Sequence, residues 1–251
     1  MIRAENIVKQ FAGRMVLDHV SVAFEPGKTN LIIGQSGSGK TVLMKCLVGL
    51  LEVDSGEIFY NDRLFSRMSA VDRRPVRQEL GMLFQGGALF DSMNVIENVM
   101  FPLNMYTRKS RSEKMKRVGF CLDRVNLSHA GRLMPSELSG GMVKRVAIAR
   151  AIALNPRYLY CDEPNSGLDP QTATLIDNLI LEITREYNIT TIINTHDMNS
   201  VLQIGDHIHF IHNGKLWWRG NKADILDAGN PELDQFVFST ELTRRLKKTD
   251  R

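Results

Sequence analysis

Apolar and polar residues alternate along the opening stretch of the chain. In "IRAENIVKQF" and "MVLDHVSVAFE" this alternation predicts paired, half-buried strands. After the turn residues Pro26-Gly27 the pattern changes, and "TNLIIG" is a short apolar run that reads as a buried strand. A helix is predicted from about Lys40 to Leu51, extended structure over "SGEIFYNDR", and a second short buried strand at residues 80–84, "LGMLF". From about 86 to 155 the apolar spacing becomes three and four, in "NVIENVMFPL", "EKMKRVGFCLDRV" and "GGMVKRVAIARAIAL". Strand and helix then alternate again: "YLYCD", a helix over 170–187, "TTIINT", a helix from Asp197, and a hairpin "HIHFIHNGKLWWRG" turned by Asn213-Gly214. The order predicts one α/β domain over 1–251. It has a parallel core, an antiparallel edge layer and a helical subdomain at about 86–155, with a basic tail at about 231–251. No repeat, heptad run or low-complexity segment interrupts it.

Composition changes this picture little. Hydrophobic content of 43% and charged content of 24% are those of an ordinary globular protein. The net charge of +4 would suggest nucleic acid if it were spread over a face, but "RRLKKTDR" at the end carries five positives and one negative, so the remaining body is neutral. The basic run "RKSRSEKMKR" at 108–117 reads as a solvated helix face, and no nucleic-acid partner is expected. Cysteines 46, 121 and 161 share no metal-binding spacing and read as reduced, mostly buried thiols. "MIRAENIVKQF" carries charge where a signal peptide needs an apolar stretch. The apolar run near "VLMKCLVGLL" contains Lys45 and falls well short of the ~20 residues a membrane span needs. Any membrane crossing is expected from another chain.

Two motifs carry chemistry. "GQSGSGKT" fits G-x-x-x-x-G-K-S/T, after a predicted strand and at the start of a predicted helix. There Gly34, Gly37 and Gly39 let the backbone of Gln35, Ser36 and Ser38 curl around phosphate oxygens, Lys40 reaches the β- and γ-phosphates, and the Thr41 hydroxyl holds Mg²⁺. The motif implies a nucleoside triphosphate with magnesium and leaves kinase, GTPase and transporter open. "YLYCDE" ends a predicted strand on Asp162, placed to hold Mg²⁺ through water, and Glu163, which could polarise an attacking water as general base. Capping of the next turn is the plainer reading of that acidic pair taken alone, and it fades once the P-loop is granted.

"LSGGM" opens another predicted helix. Ser139 can be its N-cap, and Gly140 and Gly141 leave backbone N–H groups uncovered at the positive end. That is a second anion site in a chain whose P-loop already has its own. A head-to-tail homodimer, in which each "LSGGM" closes on the γ-phosphate of the other subunit, would use both.

"GQSGSGKT", "FQ" at 84–85, "LSGGM", "YLYCDEP", "SGLD" and "TH" at 195–196 occur in the order found in the nucleotide-binding subunits of ABC transporters, which the chain resembles over nearly its whole length. The resemblance implies a P-loop NTPase fold with ATP and Mg²⁺ as cofactors. It also implies that Phe11 stacks on adenine, that Gln85 touches Mg²⁺ or the attacking water near a docked transmembrane partner, that Asp169 lies at the dimer seam, and that His196 contacts the γ-phosphate and holds Glu163. "GMLFQGGALFDSMNVIENVMFPL" and "LMPSELSGGMVKRVAIARAIAL" resemble one branch more closely, the ATPases of Mla (maintenance of lipid asymmetry) phospholipid-transport systems. Met142 narrows the field, since most relatives carry Gln or Glu there; Asn165 and the basic tail depart from the pattern. The branch implies a homodimer on the cytoplasmic face of the bacterial inner membrane. Its partners would be transmembrane permease subunits, an MCE-domain lipid-binding protein and, as an option, a small regulatory subunit. The alternative is a soluble ABC ATPase serving as an assembly or scaffold factor, which co-purification with a polytopic membrane protein would separate. A P-loop kinase or GTPase lacks "LSGGM" and the His after the strand.

Overall fold

The computed structural model describes residues 1–239, and every strand predicted above is present. Contacts divide the chain into two compact units, Met1–Met68 with the described residues from Ile192 onward, and Ser69–Thr191.

The first unit opens on β1 (Ile2–Phe11) and β2 (Arg14–Phe24), antiparallel partners joined by Ala12 and Gly13. Both turn residues have positive φ, 47° and 78°, as a two-residue hairpin with a right-handed strand twist requires. β3 (Thr29–Ile33) is buried at all five positions, its apolar Leu31-Ile32-Ile33 as predicted for a strand covered on both faces, and its polar Thr29 and Asn30 as well. α1 (Lys40–Leu47), β4 (Ser55–Tyr60) and β5 (Arg63–Leu64) follow, and the four antiparallel strands order as β2-β1-β4-β5.

The second unit contains α2 (Arg73–Gln78), β6 (Leu80–Leu83), α3 (Val95–Tyr106), α4 (Arg111–Arg124), α5 (Gly140–Ala151), β7 (Tyr158–Asp162) and α6 (Pro170–Glu186). β6 and β7 pair in parallel, Leu83 opposite Cys161. Asn94 and Ser110 begin α3 and α4 with capping boxes closed by Glu97 and Glu113, which satisfy the first free N–H groups of each helix. α6 turns Ile176, Ile180 and Ile183 inward and leaves Leu175 exposed.

The boundary between units falls on β8 (Thr190–Thr195), buried throughout. The first unit resumes with α7 (Met198–Ile204), β9 (His207–His212), β10 (Lys215–Gly220) and α8 (Pro231–Val237). β9 pairs in parallel with β3 and antiparallel with β10 through Asn213-Gly214, the predicted turn. These strands order as β10-β9-β3-β8. Within the span read as tail, Pro231 starts α8, which buries Leu233, Phe236 and Val237. The basic end, "RRLKKTDR", lies outside the described residues.

All three cysteines are buried and unpaired. Burial pushes the Cys46 and Cys121 thiols up to about 11 and the Cys161 thiol higher still, so they are protonated and inert near neutral pH.

β9 also buries a histidine. His209 is 6% exposed, sits edge-on to Phe24 at 5.3 Å, and has no hydrogen-bond partner at either ring nitrogen. Burial, with lesser repulsion from His207 and Arg219, pushes its pKa down from 6.5 to about 4. Folding therefore favours the neutral ring. That stability is whole above the unfolded value and is lost as pH falls from 6.5 toward 4, roughly 2 kcal/mol of it by about pH 5. In urea unfolding at about pH 7.5 and about pH 5, His209→Leu should lose less stability between the two than wild type by that amount. Equal losses would remove His209 from the acid response.

Candidate functional site

In the first unit, β3 runs into the glycine loop 34–41 and the loop into α1. Gly34 (φ 150°) is packed so that a Cβ would strike the Ile211 carbonyl and Ser38 Oγ. Gly39 (φ 110°) is the N-cap of α1, and a Cβ there would lie 2.8 Å from the Val16 carbonyl. Both positions therefore need glycine for backbone geometry and for space. Lys40 is buried, its Nζ donating to the carbonyls of Gly34 at 2.8 Å and Gln35 at 3.0 Å. Ser38 N donates to Gln35 O, and the Ser38 carbonyl accepts from Gly214 N. The loop is thus curled around its own lysine. Gln35, Ser36, Gly37 and Thr41 face solvent.

Phe11 closes β1 with its ring 43% exposed and the Lys9 ammonium 5.4 Å from its centroid. An exposed aromatic at a strand end offers a stacking face, which a core residue would not. His196 follows β8 and is exposed; the next residue, Asp197, caps α7 by accepting from Asn199 N.

In the second unit, β6 and β7 end side by side. Gln85 lies two residues beyond Leu83, and Glu163 two residues beyond Cys161, its pairing partner. The register therefore delivers the amide and the carboxylate from equivalent places on adjacent strands. Asp162 is buried at the end of β7. Glu163 is half-buried with φ at 49°, a left-handed conformation that costs a non-glycine residue about 1–3 kcal/mol. Its carbonyl accepts from Ser166 N at 3.2 Å and from Lys144 Nζ at 3.4 Å.

Ser139 is the N-cap of α5, as the sequence suggested, accepting from Met142 N at 3.3 Å. Gly140 and Gly141 form the first turn, which holds no acidic residue, unlike α3 and α4. A Cβ at Gly141 would lie 2.6 Å from Thr172 Cγ2, so the close approach to α6 requires glycine. Asp169 caps α6, accepting from Gln171 N, Thr172 N and Thr172 Oγ1. The Thr172 bonds hold its carboxyl below the usual carboxylate range. Its capping role is a structural duty that the resemblance did not imply.

Among the described residues no three His, Cys, Asp or Glu side chains gather as a metal cage. Taken one by one, the side chains expected at Mg²⁺ carry oxygen donors: a hydroxyl at Thr41 in the first unit, and an amide at Gln85 and a carboxylate at Asp162 in the second. That suits Mg²⁺, which binds through one or two carboxylates with phosphate and water completing its shell.

A family model described as "ABC transporter" matches residues 17–166, more than half of the chain. The chain belongs to the ABC transporter family. It is an ATP-binding, ATP-hydrolysing P-loop cassette, with mixed parallel and antiparallel sheets. Over 94% of its length it is 36% identical to the intermembrane phospholipid transport system ATP-binding protein MlaF of Haemophilus influenzae, covering 90% of that protein. The MlaF of Escherichia coli strain K12 is 38% identical over 89% of this chain and 83% of its own. Among solved structures, an ATP-binding cassette captured as a post-hydrolysis dimer with ADP and Pi superposes with a TM-score of 0.81 at 28% identity, covering 88% of this chain and 99% of that one.

Two residues of the ABC protein's second unit escaped the sequence reading. Lys144 and Arg150, both on α5, donate only to backbone carbonyls of the loops that carry Gln85 and Glu163. A third, Asn98 on α3, is fully buried and uses its whole amide on the 90–94 loop: Oδ1 accepts from Phe90 N, and Nδ2 donates to the carbonyls of Phe90, Met93 and Asn94.

Proposed function

We propose that this cassette is the ATPase of a transporter that moves phospholipid between bacterial membranes. It would act as a homodimer bound to permease subunits at the cytoplasmic face of the inner membrane, with an MCE-domain lipid-binding protein in the same complex. The observation that carries the reading is the identity of 36% and 38%, over about nine-tenths of the chain, to two ATP-binding proteins of intermembrane phospholipid transport. Among the described residues no helix is long and apolar enough to cross a membrane. The test is ATP-dependent transfer of labelled phospholipid by the cassette reconstituted with its permease in vesicles. ATP consumption without lipid movement would overturn the cargo.

Within this reading Phe11 stacks on adenine, the 34–41 loop holds the phosphates, and Lys40 exchanges its carbonyl partners for β- and γ-phosphate oxygens. Thr41, Gln85 and Asp162 would hold Mg²⁺, which supplies charge neutralisation across the phosphates. Glu163 accepts a proton from the attacking water, His196 steadies that carboxylate and the γ-phosphate, and Ser139, Gly140 and Gly141 close on the phosphate held by the other subunit. Asp169 lies at the seam.

The partner surface is proposed at the loop after Gln85. Val95 and Val99 are buried, but Phe90, Asp91 and Ser92 are exposed. Phe90, 40% exposed, lays its ring against Phe101 at 4.6 Å and beneath the Arg150 guanidinium at 5.8 Å. Its backbone is fixed by Asn98 rather than by its own side chain. Phe90→Asp should therefore melt close to wild type, the new carboxylate facing Arg150, while losing the apolar tip that a cytoplasmic helix of the permease would cover. Pull-down by tagged permease should fall at least about tenfold, as loss of a central aromatic contact does. Full co-purification by a stable mutant would place docking elsewhere.

A further inference from the structure

Lys144 is a lysine where the fold has little room for one. It is 4% exposed on α5, and its neighbours Ala147, Ile148 and Ala151 are buried. Desolvation pulls its pKa down, opposed by Cys161, Glu163 and Asp162. A buried ammonium persists where it is well bonded. Its partners are not carboxylates: Nζ donates to the main-chain carbonyls of Gln85 and Glu163. Those two residues stand at equivalent positions beyond the paired ends of β6 and β7, so one ammonium bridges both loops. Further along α5, Arg150 donates to the carbonyls of Gly87 and Ala88, each at 2.7 Å, where both residues hold positive φ.

We propose that Lys144 is a positioning residue for ATP hydrolysis: it ties the Gln85 loop and the Glu163 turn to the helix that begins at Ser139, so that amide and carboxylate are set as one unit. The inference rests on the roles proposed above for Gln85 and Glu163. Glu163 occupies a left-handed backbone that needs outside support, and a charge-assisted bond to its carbonyl supplies part of it. The same bond makes α5 the common support of both loops. A displacement at the glycine pair Gly140-Gly141 is thereby passed to Gln85 and Glu163 together. Arg150 anchors the far side of the Gln85 loop to the same helix.

Lys144→Met fills the same volume, removes the donors and leaves no buried charge behind, so folding is expected to survive. ATP affinity of the purified full-length protein, measured by equilibrium dialysis, should stay within about twofold, because no phosphate contact is lost; kcat should fall about 10- to 100-fold, the cost of reacting groups misplaced by about an ångström. Lys144→Arg, which keeps charge and donors, should restore turnover to within about threefold of wild type. Adding Gln85→Ala to Lys144→Met should cost less than the product of the two single defects, since Lys144 acts in part through Gln85. Wild-type kcat in Lys144→Met, lost ATP binding at unchanged kcat, no recovery in Lys144→Arg, or multiplying defects would each overturn the proposal. Should Lys144→Met not fold, Lys144→Gln, with a shorter donor, should show the same split, and full turnover there would overturn it. Full turnover by Gln85→Ala alone would instead defeat the role given to Gln85.

Discussion

Glu163→Gln is expected to bind ATP as wild type does and to hydrolyse it about 10²- to 10⁴-fold more slowly, the usual worth of a positioned base. The structure explains why this variant should isolate the chemistry. The left-handed backbone at residue 163 is stabilised through its carbonyl, by Ser166 N and Lys144 Nζ, and neither bond involves the carboxylate. An amide of the same shape leaves that turn intact. The bonds that Lys40 makes to the Gly34 and Gln35 carbonyls do not involve residue 163. The variant should therefore accumulate with unhydrolysed ATP. With its permease present, it should run as an ATP-bound dimer by size-exclusion chromatography with light scattering. Hydrolysis near the wild-type rate would take Glu163 out of the role of base.

What the sequence revealed and what it concealed divide along physical lines. Short apolar stretches mark β3 and β7, whereas β8, "TTIINT", is polar at four of its six buried positions and was legible only from the alternation of strand and helix around it. The glycine loop was legible because backbone geometry demands glycine at Gly34 and Gly39, with the strand before and the helix after both visible. α2 was not: "RRPVRQ" buries only Arg73 and Val76, too few for a period. Lys144 was hidden by its helix. α5 buries Val146, Ala147, Ile148 and Ala149 in succession, so apolar spacing defines no face and a lysine among them reads as solvated. Its partners are backbone carbonyls, which no pattern of side chains records. Asn98 escaped for the same reason, all four of its bonds going to main-chain atoms. His209 interrupts an otherwise apolar buried stretch of β9, a signal present in "HIHFIH" but equally compatible with alternation at a surface.

The head-to-tail arrangement has its own expected result. Ser139→Arg and Lys40→Ala proteins should each be inactive alone, yet a mixture of the two should regain about a quarter of wild-type hydrolysis if subunits of a two-fold dimer exchange freely. α5 begins with free N–H groups and no acid in its first turn, whereas α3 and α4 answer theirs with Glu97 and Glu113. In the proposed dimer a phosphate held by the second subunit would be the anion that meets this helix start. Ser139 is exposed, so arginine enters without a clash; the lost cap costs about 1 kcal/mol, too little to unfold the unit. A guanidinium at the positive end of the helix repels the cation-rich phosphate site and fills the place of the γ-phosphate. Lys40→Ala removes the ammonium around which the 34–41 loop is curled. In the mixed dimer one site pairs the damaged loop with the damaged helix, and the other pairs the intact loop with the intact helix. Half of the dimers are mixed and each has one good site, which gives the quarter. If each subunit instead completed its site from its own two units, no pairing could assemble an undamaged site, and the mixture would stay as inactive as its components.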